Sequence, residues 1–198
     1  MINSSGARVL MLSHMRGHIV DMHKLMDILN AHDVTLIEDC AHTMGASFDG
    51  KKSGSHGVVA CFSTQTYKHI NSGEGGLLTT HDDELMARAV VLSGSYMLFE
   101  RHQATPPVEV FNRIKLENPN SSGRMDNLRA AILRPQLQKL DESGQRWNER
   151  YDSFAKVLRK SNAIQLPARH PACYEVPSSI QFRIERFDDS QNLKFLQM

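Results

Sequence analysis

No excess of either charge marks this chain: 23 lysines and arginines stand against 22 aspartates and glutamates, a formal net charge of +1. A nucleic-acid binder shows a basic excess or a basic stripe, and neither is found. Long apolar runs are also missing, and none approaches the roughly 18 residues needed to span a bilayer. The opening Met1-Ile2-Asn3-Ser4-Ser5-Gly6 lacks the basic-then-apolar order of a secretory leader. Cysteine is scarce, and Cys40, Cys61 and Cys173 form no CxxC pair. An odd number without paired spacing argues against a disulfide framework or a zinc site and fits a reducing cytosol. Internal repeats and low-complexity segments are absent as well.

What is present is a 198-residue chain with 40% hydrophobic residues, enough for one well-buried domain or one domain and part of a second. Short apolar runs at Arg8 to Leu12, Val34 to Ile37, Val58 to Phe62 and Gly76 to Thr80 read as buried strands. Met22, Leu25, Met26 and Leu29 recur at helical spacing, with Asp21 as N-cap. A second helix opens at Asp82 and runs to Leu92. Strands alternate with helices only at first and then follow one another closely, so the sheet is expected to be mixed. Residues 94–123, with Pro106, Pro107 and Pro119, read as an irregular active-site or interface loop. A long helical region follows from Asp126 towards Lys160, with a break expected near Ser143-Gly144. Leu166-Pro167 and Pro171 mark a boundary, and Ser178 to Ile184 reads as a strand opening a second domain. The expected division is 1–160 and 161–198.

Three elements carry candidate chemistry. Ile37-Glu38-Asp39-Cys40-Ala41-His42 delivers a carboxylate and then an imidazole at the end of a strand, where ligands of open α/β sheets bind. Phe62 to His69 runs from a strand into a polar turn that contains Lys68. Asn71 to Gly76 is a tight glycine-rich turn directly after it. The chemistry of pyridoxal phosphate needs such groups: a lysine for the aldehyde, a carboxylate for the pyridine nitrogen, and hydroxyl and backbone donors for the phosphate. An imidazole or aromatic ring commonly packs on the cofactor. Asp39, His42, Ser63 and Lys68 suit these roles, although each alone is more ordinary as a cap, a turn residue or a solvated side chain.

The segments Leu36 to Ala46, Gly50 to Gly57 and Phe62 to Gly76 closely resemble the DegT/DnrJ/StrS family of fold-type I pyridoxal-phosphate enzymes, mostly sugar aminotransferases. The resemblance extends from about Ala7 to about Ile184, taking in Ser13 to His18 and Arg124 to Ile132. It implies an α/β fold: a three-layer mixed sheet with helices on both faces, followed by the start of a small α+β domain. It makes Lys68 the Schiff-base lysine, Asp39 the partner of the pyridine nitrogen, His42 a neighbour of the ring and its phenolic oxygen, and Ser63 a phosphate ligand. A family asparagine that reaches the phosphate of the other subunit has its place at Ser122, a side chain with less reach. Some members carry histidine in place of the lysine and are dehydratases; Lys68 favours transamination. The implied reaction moves an amino group from a glutamate-like donor to a keto-sugar or similar carbonyl, in a cytoplasmic homodimer with no nucleic acid and no membrane. Family members carry a further segment ahead of the position of Met1, with a phosphate loop and a stacking aromatic residue. The large domain is therefore expected to be incomplete at its N-terminus, and a catalytically silent or partner-dependent homologue is the alternative reading.

Other patterns are weaker. His14 and His18 stand four apart like metal ligands on a helix, but Gly17 and the strand-like start oppose a helix there, and a loop near the site or an interface is the ordinary reading. Cys61 lies in an apolar strand and is expected to be a buried structural thiol. The turn at 73–76 has neither the GxxxxGKS/T nor the GxGxxG spacing of a nucleotide site. Arg124, Arg129 and Arg134 are read as a solvated or interface helix face.

Overall fold

The computed structural model describes residues 2–196 except 95, 96, 103, 118, 120 and 186. A short helix α1 (Ile2–Ser5) leads into β1 (Val9–Ser13), and α2 (Met22–Ala31) returns the chain to β2 (Thr35–Asp39). The Asp21 carboxylate accepts the Lys24 backbone N–H at 3.1 Å and caps α2 as expected. Its apolar stripe buries Met22 and Leu29 against Leu10, Leu12 and Leu36 of the two strands. A tight hairpin of β3 (Ser47–Phe48) and β4 (Lys51–Lys52) precedes β5 (Val59–Ser63) and β6 (Gly76–Thr80). The order in the main sheet is β1-β2-β5-β6. The first three strands run parallel and β6 runs antiparallel to β5, so the sheet is mixed.

Side chains alternate across this sheet with period two. Leu10, Leu12, Leu36 and Phe62 face the helices, whereas Val9, Met11, Cys61 and Leu78 are exposed on the opposite face. Cover on both faces was expected, and over these four residues it is not found. Cys61 is consequently an exposed thiol, not a buried structural one: its strand is apolar, but its pleat points to the uncovered side. Cys40 is the buried cysteine.

The helix α3 (Asp83–Leu92), capped by Asp82, begins where expected. Residues 94–123 are less irregular than their prolines suggest. They hold a turn of 3-10 helix at Phe99–Arg101 and α4 (Val108–Ile114). Phe99 stacks on Phe111 with ring centroids 4.2 Å apart, and together with Ala87, Val91, Val110 and Ile114 they form a separate small core. Next come α5 (Asn127–Gln138) and α6 (Leu140–Leu158), which divide at Lys139 and not at Ser143-Gly144. Lys139 leaves the helical region at φ −104°, ψ 13°. Gly144 stays within α6, buried beside Tyr174 and Val176.

Two-residue strands β7 (Ile164–Gln165), β8 (Cys173–Tyr174) and β9 (Arg183–Ile184) follow, then α7 (Asp189–Leu196). The expected strand from Ser178 shrinks to β9, which pairs with β7. The strand β8 instead pairs with β3, and Val176 joins the core beneath α2. No described helix is long and apolar enough to cross a membrane.

Candidate functional site

The parallel strands β1, β2 and β5 end side by side, at Ser13, Asp39 and Ser63. In register, Ser13 lies beside Asp39, and Asp39 lies beside Cys61. Asp39, Ser63 and Ser13 therefore share the face that the helices leave uncovered. The Asp39 carboxylate is anchored at both oxygens: Ser13 Oγ donates to Oδ2 at 2.8 Å, and the Ala41 backbone N–H donates to Oδ1 at 3.1 Å. Each oxygen keeps a lone pair for a further donor.

The neighbouring carboxylate, Glu38, points the other way and is fully buried. It pairs with His14 Nε2 at 3.1 Å and accepts the backbone N–H groups of Gly54, His56 and Gly57 at 2.7–3.1 Å. Burial opposes its ionisation most strongly. The hydrogen bonds from His14 and the three amides outweigh that penalty and hold its carboxyl at about 2. This network fixes the 53–57 turn against β2 and so positions the strand end that presents Asp39. Gly57 is required there, because a Cβ would fall 2.5 Å from the Leu36 carbonyl oxygen. His14, Glu38 and Cys40 lie within metal-binding range of one another. The Glu38 oxygens already accept four N–H donors, however, and Cys40 Sγ pairs with Ser53 Oγ at 3.3 Å, so these side chains read as parts of a hydrogen-bonded core. His14 and His18 share no helical face; His18 Nε2 instead pairs with Gln181 at 3.0 Å.

Lys68 lies in the turn joining β5 to β6. Backbone bonds Thr64 N–Gly75 O and Thr66 N–Gly73 O, both 2.9 Å, close that turn. Gly75 takes φ +132°, and a Cβ there would meet Thr64 Oγ1 at 2.8 Å. Three anchors hold the turn to the body. Ile70 is buried with Leu133 and Met44. Gln136 of α5 bonds both the N–H and the carbonyl of Asn71, at 3.0 and 2.7 Å. His69 Nε2 meets the Val176 carbonyl at 2.7 Å. Lys68 Nζ then reaches His42 Nε2 at 3.2 Å. Burial, Lys68 and Arg16 all push the His42 imidazole below its ordinary range, so at neutral pH it is uncharged and its Nε2 can accept from the lysine. Ser63 Oγ accepts the Gln65 N–H at 3.3 Å, which leaves its own hydrogen free to donate outward.

The four residues read from the sequence thus gather at the ends of β2 and β5. Ser122 is exposed, on the strand-free segment before α5. Arg124 bonds the Gly94 carbonyl at 2.8 Å, ahead of α5, and Arg129 pairs with the capping Asp126, so the arginines do not form one helix face. Sequence reading missed Ser13 and Gln136 as anchors. The strand ends were visible, but the register that sets Ser13 beside Asp39 was not. A cavity of about 450 Å³ lies on the helix-covered face, against Phe62, Leu77, Leu137 and Leu140, and none of the four residues lines it. Its apolar walls offer no convergent chemistry, and the strand-end cluster does.

Comparison with known proteins places the chain among aminotransferases. The chain is 39% identical over 135 residues to the GDP-perosamine synthase of Caulobacter vibrioides, covering 68% of this chain and 33% of that one. It is 35% identical over 155 residues to the L-glutamine:scyllo-inosose aminotransferase of Streptomyces griseus, covering 76% and 35%. The crystal structure of 3-amino-5-hydroxybenzoic acid synthase superposes with a TM-score of 0.76 at 25% identity, over 96% of this chain and 48% of that one. The chain therefore spans about a third of the length of these curated relatives. The DegT/DnrJ/EryC1/StrS aminotransferase family pattern matches residues 2–196, and this chain belongs to that family.

Proposed function

We propose that this chain carries the lysine-bearing part of a pyridoxal-phosphate-dependent aminotransferase of fold type I, which moves an amino group from an amino-acid donor to the carbonyl of a keto-sugar or similar acceptor. The observation that carries this reading is Lys68 Nζ held 3.2 Å from an uncharged His42, beside the strand end that presents Asp39. The donor set fits the cofactor: an amine, an anchored carboxylate, a hydroxyl with a free hydrogen, and an imidazole, all at the C-terminal ends of parallel strands. When bound, pyridoxal phosphate supplies an aldehyde for an amine and a ring that accepts electrons once its nitrogen is protonated. Asp39 would hold that nitrogen's proton, and Ser63 would donate to the phosphate. His42, which accepts a hydrogen bond from Lys68 Nζ, would border the ring. Lys68 would be the amine that takes the aldehyde and the base that moves the proton at the substrate carbon.

Lys68 favours transamination over the dehydratase reading, which puts histidine at that position. We further read the active unit as a cytosolic homodimer with the site at the subunit boundary. The small thiol count and the exposed Leu128 and Ile132 on α5, the helix that anchors the Lys68 turn, support this. Residues 161–198 are read as the start of a second, smaller domain, with β7 and β9 pairing on their own. The test is borohydride reduction of the chain mixed with pyridoxal phosphate, followed by peptide mapping. Label on the peptide containing Lys68, lost in Lys68→Ala, is the expected outcome. Equal label at full occupancy in Lys68→Ala would remove Lys68 from the role, and no label on soluble wild-type chain would favour the catalytically silent alternative.

A further inference from the structure

We infer that Ser13 is a positioning residue that fixes the Asp39 carboxylate for a protonated ring nitrogen; the inference rests on the cofactor reading above. Asp39 has two neighbours in its row across the sheet, Ser13 on β1 and Cys61 on β5. A thiol is a weak donor, so of these two side chains only Ser13 can orient a carboxylate firmly. It does so, donating to Oδ2 at 2.8 Å, while the Ala41 N–H holds Oδ1. Two donors on opposite oxygens remove the carboxylate's rotation about its terminal bond. A carboxylate fixed in this way loses less freedom when it captures a ring N–H.

The opposing effect is withdrawal of charge by the hydroxyl, which weakens the carboxylate as an acceptor. Water settles the balance. Ser13 is exposed and Asp39 half-buried, so a water molecule replaces the lost O–H when Ser13 is truncated. Charge withdrawal then persists and orientation is lost, and the net result of truncation is weaker capture. No role for Ser13 is legible in the chain's motifs, because it depends on the parallel register of β1 with β2.

The experiment measures, by calorimetry, the affinity of the chain for pyridoxine 5′-phosphate and for its analogue with CH in place of the ring nitrogen. Neither ligand carries an aldehyde, so Lys68 does not enter. Ser13→Ala should weaken the pyridine ligand about three- to tenfold, the worth of one modest hydrogen bond, and leave the carbocyclic ligand unchanged. Ser13→Thr, which keeps the hydroxyl, should restore the wild-type preference. Equal weakening of both ligands in Ser13→Ala, or of neither, overturns the inference. Asp39→Ala separates the two levels of argument. If it erases the preference for pyridine while Ser13→Ala keeps it, only the Ser13 role falls. If the wild-type chain shows no such preference, the Asp39 assignment and the Ser13 role fall together.

Discussion

Glu38 and Asp39 are adjacent in sequence and opposite in duty, because successive residues of a strand face opposite sides. Glu38 turns inward and is paid in hydrogen bonds; Asp39 turns outward and keeps lone pairs to spare. The folded carboxyl of Glu38 sits at about 2, below its ordinary 4.5, so the unfolded chain binds the extra proton between those values. Its contribution to stability is therefore complete above pH 4.5 and is lost as pH falls towards 2. The full size is roughly 3 kcal/mol, from about 1.4 kcal/mol per pH unit. Urea unfolding across this window should show the loss in wild type. Glu38→Gln should be less stable at neutral pH and show a shallower slope across the window, the remainder coming from other depressed carboxylates such as Asp21 and Asp126; the full wild-type slope retained in that variant would place the proton elsewhere. The pair of carboxylate residues was legible in the sequence, but their division of labour needed the 53–57 turn, whose amides lie far from Glu38 along the chain.

At the scale of elements, the site depends on turns as much as on strands. The 53–57 turn packs its backbone against Leu36, and a Cβ at Gly57 would fall 2.5 Å from a carbonyl oxygen that cannot move without shifting β2. Gly57→Ala should cost about 1–3 kcal/mol, the usual range for overpacking, and lower the thermal midpoint accordingly. An unchanged midpoint would show that the turn does not brace the strand. Helices and strands with clear periodicity, such as α2 with its Asp21 cap and the four strands of the main sheet, were readable from the residues. Elements decided by tertiary packing were not. Gly144 looked like a helix breaker, but it is buried within α6 beside Tyr174 and Val176, and that packing holds the helix through it. The prolines in 94–123 hid α4, which is held by the Phe99–Phe111 stack. Cys61 lies in an apolar strand, and its exposure depends on which face the helices cover.

For the molecule as a whole, one face of the main sheet packs on helices and the other presents Val9, Met11, Cys61 and Leu78 together with Asp39 and Ser63. The chain matches its family from residue 2 to residue 196 and spans about a third of its curated relatives. It brings Asp39, His42, Ser63 and Lys68 to the ends of two adjoining strands, β2 and β5, and the turns after them. The central claim is that these groups together transfer an amino group. The most direct measurement incubates the chain, loaded with pyridoxal phosphate, with L-glutamate or L-glutamine and assays the cofactor by mass after release. The account predicts stoichiometric pyridoxamine phosphate with at least one donor, and none from Lys68→Ala. Recovery of unchanged pyridoxal phosphate with both donors, from chain shown to hold the cofactor on Lys68, would contradict it.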